Sequence, residues 1–348
     1  MPTPEHPLRK LGFLTIGLFH PDDPAAGHRS TLEIIELGEQ LGFDSAWLRH
    51  RHLQFGISSP VAVMAAASQR TSRIELGTAV TPLGWENPLR LAEDLATVDL
   101  LSGGRINPGI SVGEPMHYDT VKHDLYPDSS ETEDFSYARV DRFARLVAGE
   151  KVRDFSGKQG VVEEFSNRVE PHSPGLRSRL WYGAGSMKSA VWAGTNDFNL
   201  LSSSVIFPDK DQEPDFAKVQ QSQIRAYREA AAAAGHTAAG TRARVSQGLV
   251  VIPTDSASSA QRAKYQRYVD ERTPRTQSPQ GPKGMMFARD LIGTSDEIAG
   301  QLYAHQGFQE VDEVAFALPF SFEHEDYVQI LTDIAQKLGP ALGWTPAA

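Results

Sequence analysis

The chain has 348 residues, 40% of them hydrophobic and 22% charged, with a formal net charge of −10 and no cysteine. This composition is that of a globular protein, and the acidic balance argues against a nucleic-acid or anionic-membrane surface. The missing cysteine excludes disulfides, thiolate catalysis and cysteine metal sites. Residues 1–10 carry three prolines and no apolar core, so no secretory signal is expected there. No apolar run approaches the roughly 20 residues that a membrane helix needs, and a cytoplasmic protein is the simplest expectation.

Residues 11–19 read as the first strand. Ser30-Thr31-Leu32-Glu33 has the form of a capping box, and Ile34, Leu37 and Leu41 follow at helical spacing until Gly42. Residues 44–49 read as the second strand, and Ser59-Pro60 opens a helix with proline where its missing N–H costs nothing. The third strand is 74–80. Asn87-Pro88 repeats the helix-start signal before Leu91, Leu95 and Val98, and Gly103-Gly104 ends that helix. Residues 105–111 form the fourth strand, weakened by Pro108, which cannot donate to a ladder. A polar and aromatic loop follows over 113–134, a helix then runs to about residue 148, and the turn-rich stretch 149–174 reads as a surface hairpin insertion.

The fifth strand enters a junction of informative shape, Leu180-Trp181-Tyr182-Gly183-Ala184-Gly185-Ser186. Gly183 and Gly185 allow a tight turn, and Ser186 caps the next helix. The free N–H groups of that helix start, with the hydroxyls of Ser186 and Ser189, make a phosphate seat; a plain strand-to-helix turn is the competing reading. Lys188 stands where a dinucleotide fingerprint needs its third glycine, so one terminal phosphate suits the turn better than a dinucleotide. Residues 199–205 and 245–252 read as the sixth and seventh strands, separated by an alanine-rich helix over 216–234. The stretch 271–283 has no periodicity and reads as a mobile loop, with Arg275, Lys283 and Arg289 able to close over an anionic ligand. Thr294-Ser295-Asp296-Glu297 is a second capping box, 312–318 is the eighth strand, and a final helix spans 324–338.

Eight strands alternating with helices, without a break in composition, predict one (β/α)8 TIM barrel over residues 1–348, with insertions after strands 4 and 7. Periodicity alone is equally compatible with a doubly wound open sheet. In a barrel the site lies at the C-terminal ends of the strands. This singles out Arg49-His50-Arg51-His52, Thr78-Ala79-Val80, Ser111 and the Gly183–Ser186 turn. Two histidines at alternate positions suit metal ligation, acid/base work or ordinary hydrogen bonding. No later strand end supplies the His and Asp residues that would complete a metal set, so no metal is expected. The loop after strand 4 adds His117, Lys122, His123 and Tyr126.

Several short stretches together resemble the bacterial luciferase-like flavin monooxygenase family. They are Gly42-Phe43-Asp44-Ser45-Ala46-Trp47, Leu76-Gly77-Thr78-Ala79-Val80, Asp99-Leu100-Leu101-Ser102-Gly103-Gly104-Arg105, Gly149-Glu150-Lys151-Val152 and Ile292-Gly293-Thr294-Ser295. The resemblance implies a barrel that binds FMN or a deazaflavin at its C-terminal mouth, with Ala79–Val80 as a cis peptide beneath the ring. Gly185, Ser186 and Ser189 match the phosphate-binding turn, and Ser111 falls where luciferases carry a reactive cysteine. His50, Arg51 and His52 fall on an acidic-histidine-histidine segment, so Arg51 replaces the catalytic histidine and His52 aligns with the second. Val112 replaces an arginine that partners the phosphate. The implied activity is that of a flavin-dependent monooxygenase using reduced FMN and oxygen on a small organic substrate, with His52 and then His50 as acid/base residues. A separate flavin reductase and a homodimer are the implied partners. Hydride transfer with a deazaflavin, or flavin binding without turnover, are the alternatives.

Overall fold

Short apolar runs become parallel strands. In the computed structural model, which describes residues 5–209, 213–236 and 243–347, eight of them form one sheet. Residues 1–4 of the N-terminal stretch read above lie outside the described residues. The strands are β1 (Lys10–Thr15), β2 (Ser45–Leu48), β3 (Glu75–Thr78), β4 in two pieces (Ile106–Asn107 and Gly109–Ser111), β5 (Trp181–Ala184), β6 (Asn199–Ser202), β7 (Val245–Gln247) and β8 (Glu313–Ala317). Each pairs in parallel with the next, and β1 pairs with β8 through Lys10↔Glu313. Pro108 divides β4: Ile106 pairs with Leu76 of β3, while in the second half Gly109 pairs with Trp181 of β5 and Ile110 with Thr81, just beyond β3. The sheet therefore closes, which decides for the barrel against the open sheet.

The helices are α1 (Pro24–Gln40), α2 (Pro60–Ser68), α3 (Pro88–Ser102), α4 (Tyr118–Leu125), α5 (Tyr137–Val147), α6 (Met187–Thr195), α7 (Phe216–Ala233), α8 (Ser259–Arg272), α9 (Ser295–Ala304) and α10 (His324–Asp333). Local chemistry sets most of their starts. The Asn87 side chain accepts from the N–H groups of Leu89 and Arg90, and Gly103 ends α3 with a left-handed φ of 71°. Ser186 with Ser189 and Thr294 with Glu297 form reciprocal capping boxes. The main core is a continuous cluster running from Leu8 to Trp344, centred on the barrel strands and the inner faces of the helices, and Ile206, Val219 and Met286 form a small second one. Among the described residues no helix is long and apolar enough to cross a membrane.

Four details differ from the sequence reading. Ser30-Thr31-Leu32-Glu33 lies inside α1, because Asp23 caps the helix earlier and Pro24 starts it. The sixth and seventh strands each stop short: Val205–Ile206 leaves to pair with Met286–Phe287, and Val251–Pro253 pairs with Leu291–Gly293. The loop over 113–134 contains α4. Finally, Glu271 and Arg272 end α8, Thr273–Thr276 forms a single 3-10 turn, and Arg272 Nη2 bonds Asp290 Oδ1 at 3.1 Å. The expected insertion over 149–174 does contain an antiparallel hairpin, Gly157–Gln159 with Glu163–Phe165.

Candidate active site

The C-terminal ends of all eight strands enclose a cavity of about 460 Å³, within the range of small-molecule and cofactor pockets. Leu14, Ala315 and Ala317 give it apolar walls beside β1 and β8, and Val80 and Trp85 do so beside β3. His50, His52, Ala79, Val80, Ser111, Gly183 and Gly185, all singled out from sequence, meet on its lining. The Ala79–Val80 peptide is cis. Gly183 faces it so closely that a Cβ there would stand 2.6 Å from Val80 Cγ1, which is why β5 carries glycine at that point.

Ser186 and Ser189 stand one step outside the cavity lining. The Ser186 N–H donates to Ser189 Oγ at 3.0 Å, the Ser189 hydroxyl donates to the Ser186 carbonyl at 2.8 Å, and the two hydroxyls are 2.9 Å apart. Together they form the capping box that starts α6. Lys188 is exposed, as are His117, His123, Lys283 and Arg289, and none of these lines the cavity. Lys122 pairs with Glu131 at 2.7 Å and Asp119 at 3.5 Å, also away from it.

The β3–α3 loop adds two residues that the sequence reading passed over. The His52 ring stacks on Trp85, with centroids 3.8 Å apart and planes 11° from parallel. His50 lies 4.5 Å from His52 between ring centroids, and its Nε2 is 3.8 Å from Glu86 Oε1. The only hint in the sequence was position: Trp85-Glu86 follows a barrel strand end and precedes the Asn87-Pro88 helix start. Behind this loop, the buried Arg139 of α5 donates to the carbonyls of Leu83 and Glu86, each at 2.8 Å. Tyr126 donates to the Gly84 carbonyl at 2.8 Å. Tyr126 thus holds the loop in place from outside the cavity.

Burial sets the protonation of this group. It pushes the Glu86 carboxyl up to about 7, with the charge of Asp94 adding to the effect. It pushes His50 down to about 4, with His52 adding to the effect, and lowers His52 as well. Near neutral pH the two imidazoles are neutral, and Glu86 holds its proton about half of the time. Among the described residues, both ring nitrogens of His50, Nε2 of His52, and the hydroxyls of Ser202 and Ser246 are buried without a hydrogen-bond partner. Buried polar atoms are rarely left so. Here His50, His52, Ser202 and Ser246 all line the cavity, so a ligand there would meet them. Among the described residues no three His, Asp or Glu side chains gather as a metal site.

Arg49 and Arg51 also line the cavity. The Arg49 guanidinium lies 5.3 Å from the centre of the Phe320 ring. Burial lowers its pKa to about 10, with the charges of Arg51 and Arg272 next.

The family model described as luciferase-like monooxygenase matches residues 10–310. Over 139 residues the chain is 32% identical to the 4-hydroxyprotoasukamycin monooxygenase of Streptomyces nodosus subsp. asukaensis, covering 38% of this chain and 36% of that one. Over 190 residues it is 31% identical to the F420-dependent glucose-6-phosphate dehydrogenase of Kribbella flavida, covering 51% and 54%. The matches thus span about a third to a half of the length of these curated relatives. Among solved structures, the monooxygenase RslO1 of Streptomyces bottropensis superposes with a TM-score of 0.70 at 20% identity, covering 95% of this chain and 99% of that one. The FMN-bound oxygenating constituent of 3,6-diketocamphane monooxygenase from Pseudomonas putida gives 0.67 at 16% identity, covering 96% and 98%. At these identities the likeness establishes the barrel fold.

Proposed function

The chain belongs to the luciferase-like monooxygenase family, and from that premise we propose that it is a flavin-dependent monooxygenase acting on a small organic substrate with reduced FMN and molecular oxygen. The observation that carries this reading is the cavity itself. It is lined from every strand end, it is largely apolar, and it keeps buried imidazole and hydroxyl groups unpartnered. The residues fit a flavin. Gly183 and Gly185 leave backbone exposed for close approach, and the start of α6 offers N–H groups to a phosphate. Ala79, Val80 and Ser111 would hold the ring side, with Ser186 and Ser189 shaping the phosphate end.

Bound reduced FMN would supply the electrons that activate oxygen. The chain supplies the rest. Its apolar walls exclude water. His52, held flat by Trp85 and neutral near pH 7, can accept a proton at an atom facing the cavity. His50 adjoins it, with 4.5 Å between ring centroids, and its Nε2 stands 3.8 Å from Glu86 Oε1, a carboxyl that burial raises to about 7. A separate cytoplasmic flavin reductase would deliver the reduced cofactor.

The second reading, hydride transfer with a deazaflavin, draws on the similarity to the F420-dependent dehydrogenase. Titration of the purified chain with FMN, reduced FMN and a deazaflavin separates the two. Tight binding of reduced FMN supports the monooxygenase, and selective deazaflavin binding supports hydride transfer. Binding of neither would overturn both.

A further inference from the structure

Two arginines stand on the wall of the cavity with no anion to answer them. Arg49 and Arg51 extend from the end of β2, and both line the cavity. Among the described residues neither is paired with a carboxylate, and Arg49 Nε is buried without a hydrogen-bond partner. Glu114, on the cavity rim, forms no ion pair with either. What Arg49 touches instead is aromatic: its guanidinium sits over Phe320, in the loop after β8. Arg272 shares that ring at 4.9 Å, but its charge is answered by Asp290. Arg275 lies 4.5 Å from the Phe287 ring centre, and its Nε is also buried and unpartnered.

A guanidinium removed from water is normally paired, because desolvation is costly and a carboxylate or phosphate offsets it with directed hydrogen bonds. Arg139, Arg179, Arg244 and Arg272 follow that rule, with Glu133, Asp99, Glu313 and Asp290 as their partners. Its suspension on a cavity wall indicates that the missing anion arrives with a ligand. The ligand's phosphate end, on the reading above, belongs at the start of α6 beside β5. In the ring of strands, Arg49 and Phe320 sit on the other side, at β2 and β8. Between them the wall is apolar, with Leu14, Ala315 and Ala317.

We propose that Arg49 and Arg51 form the anion-recognition site for the substrate, which is therefore a small organic acid with an apolar body and an oxyanion, such as a carboxylate or phosphonate. This rests on the cavity being the substrate site of the function proposed above. The guanidinium plane matches a carboxylate's two oxygens and equally meets a phosphonate, whereas a neutral amide of the same shape lacks the charge.

The test is calorimetric binding to the full chain, with and without FMN, of benzoate, octanoate and phenylphosphonate, set against benzamide and octanamide. At least one acid is expected to bind tenfold or more tightly than its neutral counterpart or, for phenylphosphonate, than benzamide. Arg49→Gln and Arg51→Gln are expected to erase that preference while FMN affinity stays within twofold. Thermal melts of both variants guard against misfolding; a melting temperature equal to or above that of the natural chain is expected, since an unanswered charge is removed. Acids that bind no better than amides would overturn the proposal. So would a loss of FMN affinity in the variants without any acid preference in the natural chain, which would give the arginines to the cofactor. An acid preference without FMN binding would leave the arginine site standing and sink the monooxygenase reading instead.

Discussion

The two ends of the barrel treat charge in opposite ways. At the N-terminal end Arg244, just before β7, bonds Glu313 of β8 through Nε at 2.9 Å and Nη2 at 2.8 Å, and Glu75 of β3 at 2.7 Å. Lys10 of β1 completes the set at 2.6 Å from Glu75. Arg244 also lies over the Trp181 ring at 4.8 Å. Every charge there has a partner of opposite sign. At the C-terminal end Arg49, His50 and His52 have aromatic neighbours and a distant Glu86, and among the described residues Arg49 Nε, both ring nitrogens of His50 and His52 Nε2 are buried without a hydrogen-bond partner. The same sheet carries both. The closed end shows what these strands do when only stability is at stake, so the open end marks where a ligand completes the structure.

The comparison can be broken most forcefully at the closed end. Arg244→Met leaves Glu313, whose side chain is 5% exposed, charged without its partner. A loss of about 3–5 kcal/mol is expected in urea unfolding, as for other buried pairs cut on one side. Adding Glu313→Gln should recover part of it. No loss from the single change would mean that the network is ornamental and the contrast false.

Glu86 tests the open end by pH. Its carboxyl is held protonated to about 7 rather than the ordinary 4.5, so the folded chain binds the extra proton between those values. Its contribution to stability is full in acid and is lost as pH rises through that window. Glu86→Gln should flatten this fall and leave the variant about 1–3 kcal/mol more stable than the natural chain at pH 8, with little difference at pH 4.5. Denaturant midpoints at the two pH values decide it; a variant less stable at pH 8 would refute the assignment.

Ser186 sharpens the contrast, because it is a mouth residue whose hydroxyl is already engaged within the chain. Ser186→Ala removes one half of a capping box, and about 1 kcal/mol should be lost from the unfolding free energy. The smallest stability effect is expected at Arg49. Arg49→Gln should cost nothing and raise the melting temperature slightly, the reverse of the same chemistry at Arg244.

How much of this was legible beforehand follows the range of each interaction. The starts of α3, α6 and α9 could be read because cap and capped N–H lie three residues apart or fewer. Helix α8 was missed although Ser258 and Gln261 form the same device, because the helix is polar and buries little beyond Tyr265 and Val269. Ser30–Glu33 misled because the pattern recurs inside helices, and Asp23-Pro24 had already started this one. Position at the ends of the expected barrel strands singled out His50, His52, Ala79, Val80, Ser111, Gly183 and Gly185, which share a cavity.

The sequence by itself determined the order of the eight strands, the caps of α3, α6 and α9, and which residues sit at strand ends, since each depends on neighbours within a turn or two of chain. Closure of the sheet, the pairing of Arg244 with Glu75 across 169 residues, and the approach of Glu86 to His50 were decided only in the folded barrel. So was the isolation of Arg49. A residue's charge is written in its side chain, but whether that charge is answered depends on what the other strands bring beside it.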